Sequence, residues 1–409
     1  MNEKPNLLVV CDYNRKDFLD LFKVCKQDFN FYFIEYASKN EVKNEAYKEY
    51  GQILFWKDYN DAFDLLDKIN PCKVIFFFIE SYNHVALNVA CKERSIITCH
   101  LEHGFRDYEL KASLEKITSL HKTKKHLYLL DVLSNFLVKA KTRLFFKRTV
   151  QKVSSEPKEF LERYYAVRSK NSIFNTFKLI NSSYRTADLY ISFSPKIYKA
   201  HQLADHLEEN QKVVFIGLPS FDQWSDLQSS SQRLKAVLFI DQAFVKQGLL
   251  GWTKSYKERF VSKLTEECGK AGYILFAKIH PLEEPSGWDT LQSQGKLKLI
   301  DNDGFSELVS KVEVVMGFYS TLLMPLVAFP HTTIITLENH PVDEVFPSKF
   351  LVDSGVGHPV YQIENLSQVL SSIDELHKSQ LLNKKSFIEN WMFKLDGKAG
   401  ERLREVLLS

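Results

Sequence analysis

Short continuous apolar runs alternate along this chain with stretches whose apolar residues fall three or four positions apart. The runs have the length of strands buried on both faces, and the spaced stretches have the period of helices that cover them. In the first third the pattern predicts strands at 7–10, 29–36, 52–56, 74–79 and 95–99, with helices at 16–24, 62–69 and 85–92. The run Val74-Ile75-Phe76-Phe77-Phe78-Ile79 is the clearest, bounded by Pro71 and by Glu80-Ser81. Strands separated by helices are not joined as hairpins, so the expected product is a parallel sheet covered on both faces.

From about 110 to 185 the rhythm turns helical and basic. Between Lys122 and Lys152 nine Lys/Arg residues stand against a single acid, Asp131. Leu127, Leu130, Leu133, Leu137, Leu144, Phe145 and Phe146 interleave with those charges. Two readings lead, ahead of nucleic acid: a helical insertion whose basic face is simply solvated, and a surface that meets anionic lipid or an anionic acceptor glycan. The first rhythm returns with strands predicted at 189–193 and 213–216. Asp226 to Gln232 then has the composition of a linker. Strands at 236–240, 273–279, 297–300, 312–316 and 333–337 and a helix at 256–268 predict a second sheet. A helical tail is expected over 387–408. The expected division is 1–225 with the insertion at about 110–185, then 233–385, then a C-terminal helix at 386–409.

Composition narrows the class. The 409 residues are 44% apolar and 26% charged, which excludes global disorder and fits two α/β domains. No apolar run reaches the ~18 residues of a membrane span. The first residues enter a strand-like run without the basic flank and cleavage site of a secretion signal. Six Cys show no CxxC pair and no zinc spacing, so free thiols in a reducing cytoplasm are expected. A net charge of +3 is too small to argue for nucleic acid, and none is expected as a partner.

Ligands of parallel α/β sheets bind beyond the strand carboxyl ends, so reactive groups just after strands are the candidates. Glu102, His103, Arg106 and Asp107 follow the strand at 95–99, with Gly104 permitting a tight turn. A carboxylate there is a candidate general base, and Arg106 and Asp107 are candidates for acceptor contact. Lys278-Ile279-His280-Pro281 ends the strand at 273–279. Proline holds its predecessor extended, so the His280 ring is expected to point into the crevice and to donate to a leaving phosphate. Lys278 and Pro281 are candidates for nucleotide or phosphate contact, although Lys278 alternates to the opposite face. Gly317, Ser320 and Thr321 close the run 312–316 and precede a helix predicted over 322–329. There the N-cap hydroxyls and free amides would bind phosphate. Asp222, in Gly217-Leu218-Pro219-Ser220-Phe221-Asp222, is a candidate at the cleft rim.

Taken in order, Glu102-His103-Gly104, GLPSFD at 217–222, Lys278-Ile279-His280-Pro281, GFYSTLL at 317–323 and LDGKAGERL at 395–403 resemble bacterial glycosyltransferases of the GT-B type. The resemblance is to those using CMP-activated acidic sugars, the sialyltransferases and polysialyltransferases and the capsule Kdo transferases. CDP-glycerol glycerophosphotransferases share several of the same motifs. It implies two Rossmann-like domains facing a central cleft, an acceptor-side first domain carrying the basic helical insertion, and a nucleotide-binding second domain. It implies Glu102 as the base that deprotonates the acceptor hydroxyl, His280 on the CMP phosphate, and Ser320 and Thr321 as paired hydroxyls on the same phosphate. Two departures stand out. His103 occupies a place where the sialyltransferase motif often has a second acid, so His103 as base with Glu102 orienting it is the alternative. Met324-Pro325 occupies the stretch where many GT-B enzymes place a ribose-binding Glu.

The function expected is metal-independent transfer of sialic acid or Kdo from a CMP-sugar to a surface glycan, lipooligosaccharide or capsule. No cofactor and no metal are expected. The partners are the nucleotide-sugar donor, a glycan or glycolipid acceptor and an anionic membrane surface met through 122–152. That makes the chain cytoplasmic and peripheral on the inner membrane. The alternatives are a CDP-glycerol or CDP-ribitol polyol-phosphate transferase and a non-catalytic, membrane-associated glycan assembly protein.

Overall fold

The computed structural model describes residues 4–104, 143–225, 233–285, 287–342 and 346–409. The described chain divides into two compact units, one holding the residues up to Asp222 together with Asp396–Ser409, the other holding Gln223–Leu395. The linker expected at 226–232 and the basic residues 122–142 lie outside the described residues.

The first unit is built on β1 (Asn6–Val10), β2 (Asn30–Ile34), β3 (Gly51–Leu54), β4 (Lys73–Phe76), β5 (Ile97–Leu101), β6 (Leu189–Ser192) and β7 (Val213–Phe215). Their order across the sheet is β3-β2-β1-β4-β5-β6-β7, and every pairing is parallel. The second unit carries β8 (Leu234–Ile240), β9 (Ile274–Lys278), β10 (Lys298–Leu299), β11 (Val312–Gly317), β12 (Thr333–Leu337) and β13 (Gly357–Val360). It repeats the doubly wound order, β10-β9-β8-β11-β12-β13, again parallel throughout. In each sheet the order reverses beside the first strand, which opens a crevice at the carboxyl ends of β1 and β4 and of β8 and β11.

The helices follow their apolar stripes. Helix Ala62–Ile69 buries Phe63, Leu65, Leu66 and Ile69, and Asp61 caps it by accepting from the amides of Phe63 and Asp64. The described part of the insertion packs the same way. Residues 143–150 are helical; Phe145, Phe146, Thr149 and Val150 are buried, while Arg143, Leu144, Lys147 and Arg148 face solvent. Lys152 reaches Asp61 at 2.6 Å. Phe145 and Phe146 therefore serve the core, and the basic side chains beside them form its solvated face. Among the described residues no helix is long and apolar enough to cross a membrane. Of the six cysteines, five are buried, Cys72 is exposed, and none is bridged.

Several expected elements change extent, each for a local reason. The run 74–79 leaves its strand after Phe76, because Phe77-Phe78-Ile79 already turn over the carboxyl edge of the sheet. The helix expected over 322–329 shrinks to Leu323–Leu326. Pro325 has no N–H for the carbonyl four residues back, so the first turn closes with i+3 bonds, Leu323 to Ser320 and Met324 to Thr321. The tail is not one helix. Helix Ile373–Phe387 runs into a π-turn at Ile388–Met392, the chain reverses at Phe393 (φ 65°), and a new helix spans Ala399–Leu408. The sequence pattern also missed β13, whose Gly357 and Pro359 read as a loop. It is an edge strand, where proline costs no ladder bond.

Buried Lys384 ties helix Ile373–Phe387 to the turn before β12. Its ammonium donates to the carbonyls of Phe329 and Thr332, each at 2.6 Å. Burial pulls its pKa down to about 8. Unfolded, the side chain keeps an ordinary lysine value, so between about pH 8 and 10 the unfolded chain holds a proton that the folded chain has lost, and stability rises with pH across that window. Lys384→Met removes this slope. The wild-type minus variant difference in urea-unfolding free energy should grow by up to about 3 kcal/mol between pH 7 and pH 10.

Candidate active site

The second unit gathers its candidates at the carboxyl ends of three adjacent strands, β9, β8 and β11. β9 ends at Lys278, and His280-Pro281 begins the following turn. The amide of Glu283 donates to the carbonyl of His280 at 2.9 Å, and the amide of Leu282 donates to His280 Nδ1 at 3.1 Å. A ring whose Nδ1 accepts carries its proton on Nε2, and that N–H is the donor left for a ligand. Burial holds the His280 pKa below the ordinary value. The group standing at neutral pH is therefore a neutral imidazole. Pro281 is exposed. Lys278 is half-buried, its ammonium 5.7 Å from the Phe305 ring, and burial lowers its pKa.

β11 ends at Gly317, packed so closely that a Cβ would meet the Ile240 carbonyl oxygen at 3.2 Å. The Tyr319 amide donates to Gln242 Oε1 at 3.3 Å, which ties this loop to the end of β8. Ser320 is half-buried and Thr321 exposed. Ser320 Oγ accepts from the Leu322 amide at 3.3 Å, which leaves the hydroxyl proton to give. The four-residue helix behind them is too short for the helix-terminus contribution that the sequence suggested, so the hydroxyls rather than helix amides are the groups available to donate there. One strand, β8, separates β9 from β11, so the backbones bearing His280 and Ser320 stand two strand spacings apart, about 10 Å. Side chains reaching inward from both sides of such a gap can hold one phosphate.

In the first unit Glu102 follows β5 and is fully buried. Its Oε2 lies 3.3 Å from His201 Nδ1, and His201 Nε2 lies 2.9 Å from Asp205. His100 completes the cluster, stacked on Tyr190 and edge-on to His201 at 4.4 Å. The imidazole that Glu102 meets is thus His201, from helix Pro195–Asp205. Its pairing with His103 runs through the backbone, the His103 amide donating to Glu102 Oε1 at 3.3 Å. The His103 ring is half-buried among Phe18, Phe77 and Phe78. His201 and Asp205 were missed because they are about 100 residues from Glu102 on a helix that reads as ordinary. Arg106 and Asp107 lie outside the described residues.

Asp222 accepts from the amides of Ala399 and Gly400 at 2.9 and 2.7 Å. Arg402 pairs with Asp396 and donates to the Ile216 carbonyl at 2.7 Å. The motifs GLPSFD and LDGKAGERL therefore meet each other and fasten the C-terminal helix into the first unit. Gly400 is needed there, since a Cβ would sit 2.6 Å from Val24 Cγ2.

One further pair in the second unit escaped the sequence reading. Glu338, after β12, and His340 are both buried, 4.0 Å apart. Trp252 Nε1 donates to His340 Nδ1 at 3.2 Å. Burial raises the Glu338 pKa to about 7 and lowers that of His340 to about 4. Among the described residues no three His, Cys, Asp or Glu stand together as a metal site.

Comparison with known proteins adds the family. The model of the alpha-2,8-polysialyltransferase family matches residues 2–339. No protein with a curated description matches the chain significantly. Among solved structures, a kitacinnamycin glycotransferase superposes with a TM-score of 0.52 at 9% identity, covering 99% of each chain. A protein assigned as a UDP-N-acetylglucosamine 2-epimerase from Listeria monocytogenes gives 0.50 at 12% identity, over 100% of this chain and 96% of that one. The wall teichoic acid polymerase TagF gives 0.49 at 11% identity, over 100% and 89%. At such identities the first two likenesses speak for the fold alone, two Rossmann-like sheets in one chain as in GT-B glycosyltransferases.

The capping role of Asp222 is directly measurable. Asp222→Ala should lower unfolding free energy by about 1–2 kcal/mol in urea while nucleotide binding, followed by calorimetry, stays unchanged. Weakened binding at unchanged stability would instead make Asp222 a ligand contact.

Proposed function

The chain belongs to the alpha-2,8-polysialyltransferase family, and from that premise we propose that it moves sialic acid from a CMP-activated donor to a hydroxyl of a cell-surface glycan. The observation that carries this reading is the set of neutral hydrogen-bond donors, His280, Ser320 and Thr321, at the strand ends flanking β8. In the reaction the bond from the anomeric carbon to the CMP phosphate oxygen breaks and its electron pair stays on the phosphate. The acceptor oxygen forms the new bond to that carbon, and its proton passes to a base. Charge therefore grows on the phosphate oxygens, where an Nε2–H and two hydroxyls would stabilise it without a metal. The base belongs to the turn after β5. Glu102 is buried against His201, and His103 beside it is half-buried, so the two divide the role of orienting group and proton acceptor.

A donor screen tests this. Purified protein is incubated, with EDTA present, with CMP-sialic acid, CMP-Kdo, CDP-glycerol and UDP-sugars and a glycan acceptor. Turnover of CMP-sialic acid is expected. Turnover of CDP-glycerol alone would make the chain a polyol-phosphate transferase, and no turnover of any cytidine donor would defeat the reading. His280→Ala should reduce kcat by about 10²–10³-fold with the fold intact by circular dichroism.

A further inference from the structure

Behind the His280 turn lies a buried trio of ions that the reaction does not touch. Lys257 projects inward from helix Lys254–Lys270 and is only 5% exposed. Its ammonium lies 2.8 Å from Asp241 Oδ2 and 2.8 Å from Glu283 Oε2, and both carboxylate side chains are buried. Each partner belongs to a different strand end. Asp241 follows β8, and its amide donates to the Lys278 carbonyl at 3.0 Å. Glu283 stands three residues after His280, and its amide closes the turn on the His280 carbonyl. The second oxygen of Glu283 accepts the Lys246 amide at 3.0 Å, which pins the short helix Phe244–Gln247 to the same point.

Such a trio is a poor source of stability. Desolvating three ions costs several kcal/mol each before their attraction offsets it, and apolar side chains of similar volume often do as well or better. What apolar side chains cannot supply is direction. The ammonium has two acceptors, one just after β8 and one inside the turn that carries the imidazole. With Glu283 so anchored, the backbone from 280 to 283 keeps the shape in which the Leu282 amide meets Nδ1.

We propose that Lys257 and Glu283 are positioning residues, a buried clamp that fixes the His280 turn and thereby keeps the imidazole in its Nε2–H tautomer, aimed at the donor phosphate. The second half of this rests on the sialyl-transfer reading; the first half, the link from clamp to tautomer, does not.

The test reads the ring directly and needs no substrate. In full-length protein labelled with 15N-histidine at pH 8, the His280 signals are identified by their loss in His280→Gln. Wild type should show a protonated Nε2 and an unprotonated Nδ1. In Glu283→Gln one of the two oxygens that accept the Lys246 amide and the Lys257 ammonium becomes an NH2 donor, so one of the two contacts is lost, while the remaining Lys257–Asp241 pair is neutral overall, which favours retention of the fold. This variant should show a mixture of tautomers and, with the active donor, a kcat about 10- to 100-fold lower at a donor KM changed by less than about threefold. Lys257→Met should show a larger effect in the same direction, and Lys257→Arg should recover part of it. If Lys257→Met fails to fold, Glu283→Gln decides. A folded variant with the wild-type tautomer overturns the clamp, whereas a lost tautomer preference with unchanged kcat leaves the clamp standing and overturns its role in the reaction. Should no cytidine donor be turned over, the functional reading falls while the ring spectrum still decides the clamp.

Discussion

Parallel pairing is the constraint from which the placement of the chemistry follows. Every strand contact in both sheets is parallel. A parallel neighbour is reached only by a crossover, so all strands of a sheet end on the same edge, and whatever follows them collects there. In the second sheet the order reverses at β8. The residues after β9 and β11 are thus brought to either side of Asp241 and Gln242, although nearly 40 residues of chain separate His280 from Ser320. The same rule puts Glu102 and His103 at the carboxyl edge of the first sheet, beside the loop that leaves β4.

A second theme is the use of buried polar side chains as ties. Lys384 holds the carbonyls before β12, Gln380 bonds both the amide and the carbonyl of Ile334, and Asn88 reaches the carbonyls of Tyr184 and Thr186. Each satisfies backbone groups that a loop or strand end would otherwise bury without a partner, at a cost of 1–3 kcal/mol or so apiece. Asp222 and Arg402 belong with them. The shared motifs thus fall into two kinds. Those of the second unit present donors at strand ends, while in GLPSFD and LDGKAGERL the side chains of Asp222, Asp396 and Arg402 bond to each other or to backbone.

Much of this was readable in advance. Strands of continuous apolar residues and helices with one apolar stripe fell within a few residues of their observed limits, because burial on two faces or one leaves an unmistakable period. The errors came where a local rule met a tertiary one. Phe77 and Phe78 are as apolar as a strand, but they line the pocket around the His103 ring beyond the sheet. Gly357 and Pro359 argue for a loop, but an edge position tolerates both. Pro325 shortened a helix by removing a single donor, a consequence that the sequence contained and the apolar pattern obscured.

By itself the amino-acid order determined the α/β class, the two sheets, the strand-end positions of Glu102, His280, Ser320 and Thr321, and through its ordered motifs the family. These depend on spacing along the chain, and spacing is what a sequence records. Only the tertiary structure decided which groups meet. It gave Glu102 its imidazole in His201, gave His280 a tautomer through the Leu282 amide, set Lys257 between Asp241 and Glu283, and turned Asp222 towards a helix start at the far end of the chain. Apart from the turn at His280, those contacts join residues 16 to about 180 positions apart on different elements, and no local pattern encodes them.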